Sequence, residues 1–251
     1  MYNNTIELCF DEEKHTYYTE NPNKPEKNIV DGVTSILKVI SKPALVYWSA
    51  NKAGEFIERF LPVGKVIDEV EKQRLVKGCK TAHKTLLEDA GNLGTMLHEL
   101  VEKYIKKQPY NEPVNDILKA SFENFKEWVK KHNVEFKSSE RLVYSKKYNY
   151  AGTLDATAIV DGKKCLVDLK TSSGIWDEYF LQCSAYQHAL QEEYPDIDID
   201  HTIIIRCGKD GKFEKEPAYK HKENFEAFLG ALCLYRRLKD MKFERKQGGN
   251  E

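Results

Sequence analysis

Between two β-prone runs the chain places Asp161-Gly162, and no other feature constrains the fold as much. An Asp-Gly pair flanked by alternating apolar residues signals a two-residue type I′ hairpin, because that turn needs φ > 0 at both central positions. If Val160 then opposes Lys163, the same register sets Asp155 opposite Asp168. Side chains directly opposed on an antiparallel pair lie about 4.5–5.5 Å apart at Cβ, where like charges destabilise, so the two acids need a counter-charge. Lys170, two residues beyond Asp168, shares their face, while Ala156, Ala158, Cys165, Val167 and Leu169 fill the other. One face is core and the other carries two acids and a base. A three-residue turn would break this register.

Around the hairpin the hydrophobic period divides the chain. A short strand pair is expected from Thr5 to Phe10 and from His15 to Tyr18, then a turn-rich stretch, Asn21-Pro22-Asn23-Lys24-Pro25. Apolar spacing from Thr34 to Arg59 suits two helices broken at Pro43, with weaker helical character to Asp89 and an interruption at Gly91 and Gly94. Leu97, Leu100, Val101, Tyr104 and Ile105 stripe a helix from Thr95 to Lys107, and Leu118, Phe122, Phe125, Trp128 and Val129 one from Asp116 to His132. At Val134 the period falls to two and a sheet begins. The hairpin is followed by a helix over Trp176–Tyr194, a strand over His201–Arg206 and a helix over Asn224–Lys239. This order predicts an α/β core over residues 91–245, an N-terminal strand pair and helical elaboration over 1–90 packed on it as one compact unit, and a polar tail over 246–251.

Lys and Arg number 39 against 40 Asp and Glu, a formal charge of -1, so any polyanion must be met by a local patch rather than a global field. No run approaches the roughly 18 apolar residues of a bilayer span, and the first ten residues resemble no export signal. A soluble, cytoplasmic protein with no membrane partner, bacterial or phage-encoded, is expected. The six cysteines form no CxxC pair and read as reduced, structural thiols.

Two clustered carboxylates with no cysteine or second histidine nearby suit a hard cation, Mg²⁺ or Mn²⁺, better than zinc. Such an ion can orient a water, lower its pKa and stabilise charge on a phosphate. Lys170 would position or deprotonate that water, or neutralise developing charge. The plain alternative is that both acids end strands and pair with Lys170 on a solvated face.

Asp155, then Asp168-Leu169-Lys170 after a hairpin, resembles the split signature of the PD-(D/E)xK nucleases. Gln182-Cys183-Ser184-Ala185-Tyr186 matches the QxxxY motif of the RecB-like branch, Gly94-Thr95-Met96-Leu97-His98 looks like its histidine motif, and Gly152-Thr153-Leu154-Asp155 its GxxD element. Within the branch, Gly152–Asp155 and Asp168-Leu169-Lys170-Thr171 are similar to the mitochondrial genome maintenance exonucleases and their phage-encoded relatives. The resemblance implies a restriction-endonuclease-like core, a central mixed β-sheet flanked by helices. It implies a metal-dependent exodeoxyribonuclease acting on single-stranded DNA or ends, in replication, recombination or repair, and leaving a 5′-phosphate and a 3′-hydroxyl. Asp155, Asp168, the Leu169 carbonyl and His98 would hold the metal, and Lys170 would be the catalytic lysine. Gln182 and Tyr186 would orient the lysine or touch the backbone of the nucleic acid, and Glu140 is a further acid near the site.

Each of these has a plainer reading. His98 borders an apolar stripe, Tyr186 continues the stripe of Tyr179, Cys183 and Leu190, and Glu140 suits an exposed strand position. Lys146, Lys147 and Tyr148 interleave cations with aromatics, as single-strand grips do, or form an ordinary β-turn. Four-cysteine relatives carry an iron–sulfur cluster, but only Cys207 and Cys233 lie beyond the QxxxY helix, so no cluster is expected. No nucleotide cofactor is expected either, because no GxxxxGK[ST] loop occurs. The same fold could serve as a catalytically idle nucleic-acid-binding module, or a component that works by docking to a replication or recombination protein.

Overall fold

The computed structural model describes residues 2, 6–21, 24–208 and 210–247. Strands β5 (Tyr150–Val160) and β6 (Lys163–Lys170) form the expected hairpin. Asp161 and Gly162 take φ of 50° and 81°, the left-handed values a type I′ turn requires, and Val160 pairs with Lys163. The turn is seated on the end of α4 (Asp116–Lys131), where the Asp161 amide donates to the His132 carbonyl. One mixed sheet of eight strands, flanked by helices, contains this hairpin. Its other strands are β1 (Glu7–Asp11), β2 (Thr16–Asn21), β3 (Lys24–Gly32), β4 (Glu135–Ser145), β7 (His201–Cys207) and β8 (Phe213–Ala218). The order is β1-β2-β3-β5-β6-β7-β8, with β4 paired to β5. β6 and β7 are parallel, joined across α5 (Asp177–Glu193), as parallel neighbours require a crossover.

Both faces of the sheet are covered. Leu154, Leu166 and Ile204 pack in one cluster with Tyr186 and Leu190 of α5 and Phe228 of α6 (His221–Gln247). On the other side Ala156, Val167 and Leu169 line a small cavity with Val101, Phe125 and Phe136. The acid-bearing face is therefore interior, which overturns its reading as a solvated surface. All six cysteines are free, and Cys165, Cys183 and Cys207 are buried, where a thiol packs as a small hydrophobe.

Backbone contacts divide the chain into residues 1–40 with 97–251, and residues 41–96. The N-terminal strands thus belong with the sheet, not with the helical elaboration, and the single compact unit expected from the sequence becomes two. In the sheet unit, α1 (Val33–Ile36) and a short 3-10 turn precede the break at Pro43. In the other, α2 (Pro43–Phe60) begins on that proline, whose missing N–H costs nothing at a helix start. Phe56 lies so close over Gly78 that a Cβ there would fall 2.0 Å from the ring.

The structure departs from the sequence expectations at four places. The stretch read as a turn contributes Lys24 and Pro25 to β3; Thr5, Pro22 and Asn23 lie outside the described residues. Gly91 and Gly94 do not interrupt α3, which runs from Glu69 to Ile105: each glycine costs about 1 kcal/mol against alanine, less than a long helix recovers. β8 was invisible because Phe-Glu-Lys-Glu-Pro-Ala is charged, as edge strands often are. The polar tail also starts later than residue 246, since Lys246 is helical. Among the described residues no helix is long and apolar enough to cross a membrane.

Two glycine substitutions should move stability in opposite directions in urea unfolding. Gly162→Ala, at φ 81°, should lose about 1 kcal/mol or more. Gly91→Ala, with open space around its Cβ, should gain up to about 1 kcal/mol.

Candidate metal centre

One edge of β5 is paired along its length with β4. The other edge is divided: β3 pairs at Tyr150 and Ala151, and β6 pairs from Ala156 to Val160. Among the described residues no strand pairs with 152–155 on that edge. The ladder stops one residue short of Asp155 and Asp168, so the two acids do not face each other across it as the hairpin register predicts. Asp155 bridges the gap instead, its Oδ2 accepting the Leu169 N–H at 2.6 Å.

Side-chain alternation changes phase at this level. Leu154 joins the α5/α6 core, whereas Ala156 lines the cavity on the other side. In β4, Glu140 falls between the pairs Ser139↔Ala156 and Arg141↔Leu154 and takes φ 46°. A left-handed backbone inside a strand costs a non-glycine residue about 1–3 kcal/mol, and here it accompanies a carboxylate within 4.8 Å of Asp155. His98, from the C-terminal part of α3, completes the group. Its Nδ1 lies 3.9 Å from Glu140 Oε1 and 3.8 Å from Asp155 Oδ1, and one donor atom from each residue lies within 4.8 Å of the others. Burial pulls the His98 pKa down, but the charge of Asp155 and the Glu140 carboxylate outweigh it and hold the imidazole above its usual range. An imidazole and two carboxylates form a donor set that suits Mn²⁺ or Mg²⁺.

Asp168 lies beside this group but engages another partner. It is fully buried, and Lys170 Nζ sits 2.8 Å from Oδ1 and 2.7 Å from Oδ2. Burial, helped by the Asp155 charge and opposed by Lys170, pushes the Asp168 carboxyl up to about 6. Burial works against the Lys170 ammonium too, yet Asp168 and Asp155 outweigh it and raise its pKa. That direction favours an ammonium on Lys170, whose Nζ also lies 5.0 Å from the centre of the Tyr179 ring.

The remaining sequence candidates separate into two groups. Gln182 donates to the Tyr186 hydroxyl at 2.9 Å, and the Tyr186 ring lies where a Cβ on Gly152 would fall 2.3 Å from Cε1. The glycine of the GxxD element thus makes room for the tyrosine of the QxxxY motif. Lys146, Lys147 and Tyr148 are elsewhere, at the β4–β5 turn, five or more residues from Glu140 and Asp155 along the strands. There the Lys147 amide donates to Glu192, and Tyr148 packs against His188 and Phe225, so its ring is spent on the core. Leu169 reaches the site through its amide, and Glu140 proves more central than Asp168 to the donor group.

Sequence reasoning missed Tyr17, Thr153 and Arg206. The Tyr17 hydroxyl lies 3.0 Å from Thr153 Oγ1. Arg206 is 1% exposed, pairs in register with Lys170 and donates from Nε to the Ser172 carbonyl at 2.7 Å. A second nitrogen meets Asp210 at 2.8 Å. A lone arginine after three isoleucines in β7 was the visible signal, since a buried guanidinium needs partners.

Glu140→Gly should leave the melting temperature unchanged or raise it, because glycine accepts the left-handed backbone, while weakening Mn²⁺ binding at least about ten-fold in titration calorimetry. Gly152→Ala should destabilise by about 1–3 kcal/mol through overpacking against Tyr186, measured by urea unfolding.

No protein-family model and no curated protein matches the chain. Among solved structures, the crystal structure of SSO0001 is similar at 12% identity, over 76% of this chain and 86% of that one, with a TM-score of 0.31; at that score the likeness bears on neither fold family nor function.

Proposed function

We propose that this protein is a metal-dependent deoxyribonuclease with a PD-(D/E)xK core of the RecB-like type, acting on single-stranded DNA or on ends. The observation that carries the reading is the meeting of His98, Glu140 and Asp155 within 4.8 Å beside the buried Asp168–Lys170 pair. His98, Glu140 and Asp155 would hold Mg²⁺ or Mn²⁺, which supplies a polarised phosphate and a water of lowered pKa. Asp155 also fixes the start of the Asp168-Leu169-Lys170 segment through the Leu169 amide, so the lysine and the ligands share one frame. Lys170 offers its ammonium to the charge that develops on the phosphate as water attacks phosphorus and the 3′-oxygen departs. Gln182, through Tyr186, buttresses the wall of the site opposite Gly152. The 5′-phosphate product, and a place in replication, recombination or repair beside a protein partner, follow from the family resemblance.

A second reading, a binding module that does not cut, is favoured by one contact. Lys170 is closed onto Asp168, and in that arrangement each occupies the other.

End-labelled single- and double-stranded DNA, incubated with Mg²⁺, Mn²⁺ or EDTA, tests the two. The expected result is ion-dependent cleavage, reduced at least about a hundred-fold in Asp155→Ala and in Lys170→Ala. DNA bound but uncut with either ion would put the binding module first.

A further inference from the structure

A ladder of three aromatic rings leads from the candidate centre to solvent. Phe10 and Tyr17 stand directly opposite each other in the β1–β2 hairpin, their centroids 4.6 Å apart at 39°. His15 meets Phe10 edge-on at 5.1 Å. At the inner end, Tyr17 reaches Thr153, where β5 is paired to β4 but has no strand on its other edge among the described residues, two residues or about 7 Å along the strand from Asp155. Its ring lies 3.2 Å from the position of a Cβ on Gly32, so the glycine sets how deeply the tyrosine sits. Tyr17 and Phe10 are half-buried and His15 is exposed.

Cross-strand aromatic pairs stabilise hairpins without any ligand, but this one ends in an exposed ring, His15, on one side and beside the candidate centre on the other. His15 holds φ 50°, a left-handed backbone that histidine takes more readily than most residues. The adjoining tip carries Asp11, Glu12, Glu13 and Lys14, with Lys14 bound to Asp11, so it offers a strand no net positive charge. What the ladder presents is its rings, while the candidate centre at its inner end suits the anion.

Resting on the nuclease reading, we propose that Tyr17, Phe10 and His15 form a stacking platform for a nucleobase of a single strand, one whose phosphodiester lies at His98, Glu140 and Asp155. A base belonging to a nucleotide at the centre is within reach of Tyr17, and stacking on aromatic side chains accepts any base. The platform makes the N-terminal strands a substrate-binding part of the enzyme and gives it a preference for unpaired DNA, since a base held in a duplex cannot lie against the rings.

The test uses the full chain and oligodeoxynucleotides carrying one 2-aminopurine, moved stepwise along the strand, with Ca²⁺ in place of Mg²⁺. Wild type should quench the probe most at one position. Phe10→Leu should remove that quenching and weaken binding about five-fold or more. His15→Asn, which suits a left-handed backbone, should keep stability and still reduce the quenching. An abasic nucleotide at the quenched position should abolish the affinity difference between wild type and Phe10→Leu, an outcome that a merely structural Phe10 would not give. Unchanged quenching and affinity in both variants overturn the platform, and if wild type still cuts DNA the nuclease reading survives that result. Quenching lost in the variants, with no cleavage by wild type under any ion, upholds the platform and sinks the nuclease reading. Failure of wild type to bind any oligonucleotide overturns both.

Discussion

The centre depends on the divided edge of β5. A strand offers each edge to one partner, and here β3 and β6 take opposite ends of the same edge. Backbone groups left between them must still find partners or solvent, and side chains move into the space. Asp155 captures the Leu169 amide, Tyr17 reaches Thr153 and Tyr186 covers Gly152. Extending either pairing through residues 152–155 would satisfy the backbone with backbone and leave no place for these groups. The site is a local failure of sheet regularity, held in place by the regular sheet around it.

Electrostatics reinforces that arrangement. Asp168 and Lys170 are buried together, and breaking such a pair by removing one partner leaves an uncompensated charge, which is far more destabilising than losing both. Arg206, on the neighbouring parallel strand, adds a second buried cation, tied to the Ser172 carbonyl just after Lys170 and to Asp210. Gly208 is part of this anchorage, because a Cβ there would fall 2.4 Å from the guanidinium. Apolar residues would fill the same volume at lower desolvation cost, so the charges specify where the segment after Lys170 must lie.

Local chemistry was legible in the sequence and long-range pairing was not. Asp161-Gly162 dictated its own turn, Pro43 its own helix start, and the period of two from Val134 its own sheet, because each depends on residues close in the chain. His98, Asp155, Asp168, Lys170, Gln182 and Tyr186 could be named from motifs, and the structure brings them to one neighbourhood. The places where the strands part could not be read. The hairpin register alone predicts Asp155 against Asp168, and nothing in the sequence marks the level at which β6 parts from β5. Glu140 likewise gave no sign of its backbone, since nothing in Ser-Ser-Glu-Arg announces a left-handed residue. Tyr17 and Thr153 meet across most of the sheet's width of sequence, where periodicity carries no information.

The β3–β5 pairing also has a consequence for how the chain reaches this state. The β5–β6 hairpin closes a two-residue loop and can form early, whereas Asp31 finds Tyr150 only after nearly half the chain has been threaded between them. Contacts of such separation form late, because the entropy of closing the loop is lost before they contribute. During synthesis the β1–β3 meander emerges first and must wait for β5 with its pairing edge open, a state prone to association with other chains. The β3–β5 junction is thus made last, and slow refolding, with the β5–β6 hairpin recovered before the N-terminal strands dock, is the kinetic signature this topology imposes.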